Sequence, residues 1–384
     1  MADGVLNVNP DAFFASVMTT PGAGERTYTA DPRIRYDRLS GKWILVMIDA
    51  TRNTTTNART TANRILIAFS NNATITGSTT WTFSQFTGEA SRFADYPTLG
   101  IDVNALYIGT NMFTLSGQFR GTNGYVINRT TLLSGGAYSV TAFLGLASLT
   151  TFDGPYTPQG VDNFDVSATE GYFIGVDLGT NGTLTLRKVS NPGGSPTISG
   201  NIFLTVPTTI GLRTVPHLGN TGGIDGNLDA VDDRLFAAMI RNGHLWTSHN
   251  IGVDETGVAN NGSNSRDGVR WYDIINLATT PSLNQSGTIF DNNATVTSAR
   301  DYFIPSVMIS GQGHAVFSLT TAGTSFFSNA ATTGRLSNDG LGTTQAPVLT
   351  TASSTSYNPP GDPGTIRGGQ KMGGLFLCIC RSSG

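Results

Sequence analysis

Asp31-Pro32-Arg33-Ile34-Arg35-Tyr36-Asp37, a short turn, and Ser40-Gly41-Lys42-Trp43-Ile44-Leu45 form a unit that the chain repeats. An alternating apolar strand runs into a turn built from Asp and Gly and returns as a second apolar strand, which is the pattern of an antiparallel hairpin. The second copy is Tyr96-Pro97-Thr98-Leu99-Gly100-Ile101-Asp102 with Asn104-Ala105-Leu106-Tyr107. The third is Gly171-Tyr172-Phe173-Ile174-Gly175-Val176-Asp177, which crosses Asn181-Gly182 into Thr183-Leu184-Thr185-Leu186. Arg234 to Ile240 with Asn242 to Trp246 is the fourth, and Tyr302 to Ile309 with Gly311 to Phe317 the fifth.

The repeat starts lie 65 (31 to 96), 75 (96 to 171), 63 (171 to 234) and 68 (234 to 302) residues apart, room for four strands and their loops. That is one propeller blade, whose two apolar faces are covered only by stacking against neighbours. The expected fold is therefore an all-β propeller of four-stranded blades. Residues 1–30 read as the end of a partial N-terminal blade, 31–371 as blades and 372–384 as a tail. Five starts and a truncated sixth near Met372 give an expectation of six or seven blades in the intact domain. Within Asp229–Asn242, helical spacing of Val231, Leu235 and Met239 competes with the strand that the repeat register requires; the register favours the strand.

Composition agrees with an extracellular β protein. Apolar residues are 38% of the 384, enough for a core, and charged residues only 13%, about half the usual share. Gly, Thr, Ser and Asn replace them. With a net charge of −3 and scattered arginines there is no basic patch for nucleic acid or an anionic membrane. No apolar run reaches the length of a membrane span. Met1-Ala2-Asp3-Gly4 lacks the basic region and apolar core of a signal peptide, so start and composition point different ways, and composition is weighted more. Cys378 and Cys380 are the only cysteines, so no disulfide framework exists.

Asp37-Arg38-Leu39-Ser40-Gly41-Lys42-Trp43 resembles the Asp-box turn of sialidase-like propellers, Ser-x-Asp-x-Gly-x-x-Trp, in altered order; Ser310-Gly311-Gln312-Gly313 is a looser copy. Phe93-Ala94-Asp95-Tyr96-Pro97, Gly268-Val269-Arg270-Trp271-Tyr272, Gln285-Ser286-Gly287-Thr288 and Thr333-Gly334-Arg335 look like a family of secreted bacterial propeller domains of unassigned function. The resemblance covers roughly residues 30–370 and implies a Trp-Gly-Asp-Tyr strand after Lys371. Met372–Gly384 departs from it as a one-base frameshift would, an expectation that the nucleotide sequence tests.

Sialidase chemistry would need an arginine cluster, a nucleophilic Tyr with a Glu, and an acid/base Asp. At Tyr302-Phe303-Ile304-Pro305 a phenylalanine stands where the resemblance calls for arginine, and Glu25, Glu89, Glu170 and Glu255 lie in no active-site context. Asp225, Asn227 and Asp229 alternate as calcium ligands do, with Asp232 and Asp233 in reach to complete a looser site; Ala230 and Phe236 break the loop pattern, which leaves a polar turn as the competing reading. His217, His244, His249 and His314 have no metal-ligand spacing, and no Gly-x-Ser-x-Gly elbow occurs. Trp43, Trp81, Trp246 and Trp271 read as wedges between blades more readily than as a sugar platform. The leading expectation is a non-catalytic extracellular or surface propeller, part of a larger protein, that binds protein or glycan and needs no cofactor beyond a possible calcium ion. The alternative is a sialidase-like glycoside hydrolase with degenerate motifs.

Overall fold

Residues 6–358 are described in a computed structural model of the chain, where they form five antiparallel sheets of four or five strands, the blades of an all-β propeller. The first blade follows a short helix, α1 (Pro10–Phe14), capped by Asn9, whose side chain accepts from Asp11 N. Its strands are β1 (Glu25–Asp37), β2 (Lys42–Asn53), β3 (Arg64–Ser70) and β4 (Trp81–Thr87), paired in chain order. In the second, β5 (Phe93–Asp95) and β6 (Gly100–Ile101) both pair with β7 (Ala105–Phe113), which pairs with β8 (Phe119–Asn128). After α2 (Arg129–Leu133), β9 (Val140–Ala147) pairs with β8.

The third blade begins with β10 (Pro155–Gly160) and, beyond the two-residue β11 (Asp162–Asn163), continues through β12 (Glu170–Asp177) and β13 (Thr183–Ser190), with β14 (Thr197–Ile198) and β15 (Ile202–Thr205) both on β13. The fourth includes β16 (Leu235–Arg241), β17 (His244–Val253), β18 (Arg266–Ile275) and β19 (Ser282–Ile289), paired in chain order. The fifth consists of β20 (Asp301–Ile309), β21 (Ala315–Gly323), β22 (Phe326–Arg335) and β23 (Val348–Leu349).

Five blades correct the expectation of six or seven. The proposed sixth start at Met372 lies outside the described residues. The third repeat is also corrected: Gly171–Asp177 is the second strand of its blade, and the first is β10. Asp11–Phe14, read as the end of an earlier blade, is helical because Asn9 caps it and Pro10 opens it. Leu235–Arg241 is a strand, as the register required.

The chain divides into two compact units: everything to Gly179 with Thr185–Ile202, and Thr180–Leu184 with Phe203 onward. In the first unit, β3 shows why a blade cannot stand alone. Ile65, Ile67 and Phe69 join a cluster with Ile108, Tyr125 and Ile127 of the second blade. Leu66 and Ala68, on the other face, pack with Phe14 of α1. Each fully buried aliphatic side chain contributes about 1.5–3 kcal/mol. The second and third blades meet through bare backbone as well: a Cβ on Gly109 would lie 1.9 Å from the Pro158 carbonyl oxygen, a space only glycine leaves open. In the second unit, Trp246 and Trp271 stack at 5.4 Å and 18° between planes, and Phe317 of the fifth blade lies 6.0 Å from Trp271. Both tryptophans are buried wedges.

A second repeat underlies the first. Within or beside the first strand of every blade one non-glycine residue has positive φ: Asp31 (53°), Tyr96 (52°), Thr157 (44°), Val231 (71°) and Ile304 (48°). Proline follows in four cases (Pro32, Pro97, Pro158, Pro305), and Asp232 in the fifth. In β1, β10 and β20 the strand register shifts at this point, so these are bulges. A left-handed L-residue costs about 1–2 kcal/mol, most for a β-branched one. Such strain persists only where the surroundings over-determine it.

Candidate functional site

Val231 has the largest φ of these five residues and is the only one that leads into carboxylates instead of proline. The segment Asp229-Ala230-Val231-Asp232-Asp233-Arg234 enters β16 with its turn set by short-range bonds. Asp229 Oδ1 accepts from Val231 N at 2.8 Å, and Asp232 Oδ1 accepts from Arg234 N at 3.0 Å. Arg234 then grips the Asp232 carboxylate as a fork, with Nε to Oδ1 and Nη2 to Oδ2, both 2.6 Å. The Asp232 side chain keeps 34% exposure and Arg234 11%, so the pair sits at a surface with its base sunk.

Asp233 is different. Burial, reinforced by the charge of Asp232 beside it, pushes its carboxyl above the usual range. Two carboxyl groups adjacent in sequence therefore have unlike surroundings, one forked by a guanidinium and one raised by burial.

The backbone under these groups is held from β17. Asn250 Nδ2 donates to the carbonyls of Ala230 and Asp232, both at 2.9 Å, and Asn250 Oδ1 accepts from Ile304 N, so one side chain ties the backbone around Val231 to the Ile304 bulge. His249, fully buried, contacts the Asp233 carbonyl through Nδ1 at 2.5 Å. A carbonyl only accepts, so Nδ1 carries the proton and Nε2 accepts from Tyr272 Oη at 3.0 Å. Desolvation holds His249 neutral, with its pKa lowered to about 4.

That shift fixes a sign. Above pH 6.5 both native and unfolded chains carry a neutral His249; between 6.5 and 4 the unfolded chain takes up a proton that the native site refuses. The stability advantage of wild type over His249→Gln is expected to be largest above pH 6.5 and to shrink by up to about 3 kcal/mol on the way to pH 4. Urea unfolding midpoints of both proteins across that window test it; a pH-independent gap would contradict a neutral buried imidazole.

A second buried polar group lies at the start of β20. Arg213 forks onto Asp301 with Nη2 at 3.0 and 2.9 Å from the two oxygens, Asp301 Oδ1 accepts from Asp267 N at 2.8 Å, and Asp267 Oδ1 accepts from Arg213 N at 3.1 Å. Asp267 and Asp301 are both 0% exposed. Burial, then the Asp301 charge, pushes Asp267 well up.

The residues singled out for calcium lie in the segment that precedes β16. Asp225 is exposed on the 3-10 turn Gly223–Gly226, Asn227 Oδ1 accepts from Asn220 Nδ2 at 3.1 Å, and Asp229 turns to Val231 N. Among the described residues no group of three or more His, Cys, Asp or Glu side chains is arranged to hold a metal. Phe303, in the position of the expected arginine, is fully buried in an apolar cluster with Val215 and Leu228. Glu89 pairs with Arg92 and Glu170 with Lys188, while Glu25 serves its own turn by accepting from Gly22 N. His217 meets the Gly226 carbonyl, His244 pairs with Asp273, and His314 accepts from Ser337 N. Trp43 is half-buried, donates to the Ala73 carbonyl and lies 5.0 Å from Tyr36. In the Asp37–Trp43 hairpin the Asp37 carboxylate accepts from Leu39 N and Ser40 Oγ and pairs with Arg129, while Gly41 supplies the positive φ.

Sequence reasoning named Asp232 and Asp233 only as helpers of a calcium loop, and missed His249, Asn250 and the Asp267–Asp301–Arg213 group. The available signal was Val231-Asp232, the one of the five positive-φ residues without a following proline.

Among the described residues no helix is long and apolar enough to cross a membrane. No protein-family model matches the chain, and no curated protein matches its sequence. Among solved structures it is similar to an α-L-arabinofuranosidase from Lactobacillus brevis, at 13% identity over 86% of this chain and 95% of that one, with a TM-score of 0.38. It is similar to an α-L-arabinofuranosidase from Clostridium thermocellum, at 10% identity over 84% and 94%, TM-score 0.38. The third likeness is to a subtype N10 neuraminidase-like protein of a little yellow-shouldered bat influenza A virus, at 9% identity over 79% and 93%, TM-score 0.35.

Proposed function

We propose that this propeller cleaves glycosidic bonds by acid–base chemistry at Asp232 and Asp233. The observation that carries the reading is the unlike surroundings of the two carboxyls: Arg234 forks Asp232, while burial beside that charge raises Asp233. Glycoside hydrolysis needs such a pair, one acid to protonate the leaving oxygen and one carboxylate to assist water or the developing oxocarbenium ion. Asp233 is the acid in this reading and Asp232 the carboxylate. His249 and Asn250 are positioning residues, which act on the backbone beneath them.

An uncharged sugar fits better than a sialoside, because Phe303 lies in the core where an anion-gripping arginine would be needed. Extracellular or surface placement, within a larger protein, goes with the same reading and is supported by the charge-poor, Gly- and Thr-rich composition. The test is a panel of aryl glycosides, α- and β-linked pentofuranosides, pentopyranosides and hexopyranosides, with an aryl sialoside alongside. Release of the aryl group from a neutral member is expected. No release from any member would leave a non-catalytic propeller whose loops bind protein or glycan.

A further inference from the structure

Far along the chain from Asp233, the first compact unit contains an open cleft of about 370 Å³, within the range of about 300–1,000 Å³ that small-molecule sites occupy. One wall is the edge of the second blade around β8, β9 and α2. The other is the loop Pro192–Pro196 that follows β13. We infer that this cleft is a binding site for an uncharged polyhydroxylated ligand, a neutral oligosaccharide, separate from the Asp232–Asp233 segment.

Three features of the cleft carry this. First, none of its eleven lining residues has a charged side chain. A phosphate, carboxylate or ammonium group entering it would find no opposite charge among these residues to hold it.

Second, the lining mixes hydroxyls with flat apolar surface. Thr131, Ser139 and Thr141 present hydroxyl groups, and Tyr138, Pro192 and Pro196 present rings. A sugar ring has the same two sides, C–H faces that stack on rings and a rim of hydroxyls that both donate and accept.

Third, the walls are held before any ligand arrives. Asn128 Nδ2 donates to the Gly193 carbonyl at 2.6 Å, while Asn128 Oδ1 accepts from Thr131 N and Oγ1 at 2.9 and 3.0 Å. One side chain thus joins the Pro192–Pro196 loop to α2. Tyr138 is pinned through Oη, which accepts from Ser84 Oγ at 2.6 Å and donates to the Gln85 carbonyl at 3.1 Å. Its hydroxyl is spent on the blade and its half-buried ring packs in part against the core beneath, which fixes the ring edge that lines the cleft. A site whose walls are already ordered loses less entropy on binding.

Calorimetric titration of the full chain with xylotriose, cellotriose and maltotriose, and with sialyllactose as the anionic counter-probe, tests the assignment. Thr131 and Ser139 are exposed, so Thr131→Arg and Ser139→Trp obstruct the cleft without disturbing the core; circular dichroism verifies both folds. At least one neutral trisaccharide is expected to bind wild type and to lose about tenfold or more in affinity in each cleft variant. Asp233→Asn, which removes the proposed acid, should bind it unchanged, so failure of the cleft and failure of the hydrolase reading are separable. Binding by no neutral probe, binding that survives both cleft variants, or binding that prefers sialyllactose would each overturn the inference.

Discussion

Asp233→Asn is expected to lower kcat for a neutral aryl glycoside by about a hundredfold to ten-thousandfold, the range that a positioned general acid supplies. KM should change little, because a proton donated only as the bond breaks contributes nothing to ground-state binding. The substitution is nearly isosteric and leaves the Asp233 carbonyl available to His249, so the fold should survive it. Asp232→Asn would be less informative, since it also dismantles the Arg234 fork. The pH profile adds a sign. Burial raises the Asp233 carboxyl, so the acid form persists above the ordinary aspartate value of about 3.9, and wild-type activity should fall on an alkaline limb beyond it. That limb should be missing from the residual activity of Asp233→Asn. A loss confined to KM, or a profile identical in both proteins, would remove Asp233 from the chemistry.

Arg213→Met is expected to be the most damaging single change to stability, costing about 3–5 kcal/mol at pH 8. The guanidinium pairs with fully buried Asp301, whose neighbour Asp267, also fully buried, accepts only from the Arg213 backbone N–H, which the substitution keeps. Without it, two like charges share a desolvated site, and the chain must either bury them unpaired or take up protons. Asp267 is raised already, first by burial and then by Asp301. A carboxyl with a raised native pKa contributes stability that is fully present below its unfolded value and is lost as pH rises through the native one. Losing Arg213 raises both groups further, so the deficit of Arg213→Met should be smaller at pH 5 than at pH 8. Urea midpoints at the two pH values decide it. A loss under about 1 kcal/mol, or one equal at both, would show that the pair is not held as described.

The blade repeat was legible because its parts are local: apolar alternation, a turn with Asp, Asn or Gly, and a return strand. Four of the five starts lie on first strands for that reason. The third slipped by one strand because Gly171–Asp177 carries the same alternation as a first strand, while the true one, Pro155–Gly160, is short, contains two prolines and reads as loop. The Thr157-Pro158 step, alike in backbone to Asp31-Pro32 and Tyr96-Pro97, was the better marker. Its meaning depends on a φ value, and sequence does not print φ.

The candidate site was legible only as a run of acids. Asp229, Asp232 and Asp233 in one short stretch suggest a cation by composition alone. The acid–base proposal rests instead on which oxygens are already engaged: Arg234 holds the Asp232 carboxylate, and Asn250 of the next strand the Asp232 carbonyl. His249 was invisible as a functional residue for the same reason. Its neutrality comes from complete burial under Tyr272 and the Asp233 carbonyl, and these contacts span 16 and 23 residues of sequence.

The account turns on Asp233, and hydrolysis of the neutral aryl-glycoside panel by wild type and Asp233→Asn, measured side by side from acid to neutral pH, tests it most directly. It predicts turnover of at least one neutral glycoside by wild type, with an alkaline limb, and a kcat at least a hundredfold lower without that limb in the variant. Equal rates in the two proteins, or no turnover by wild type at any pH, would contradict it.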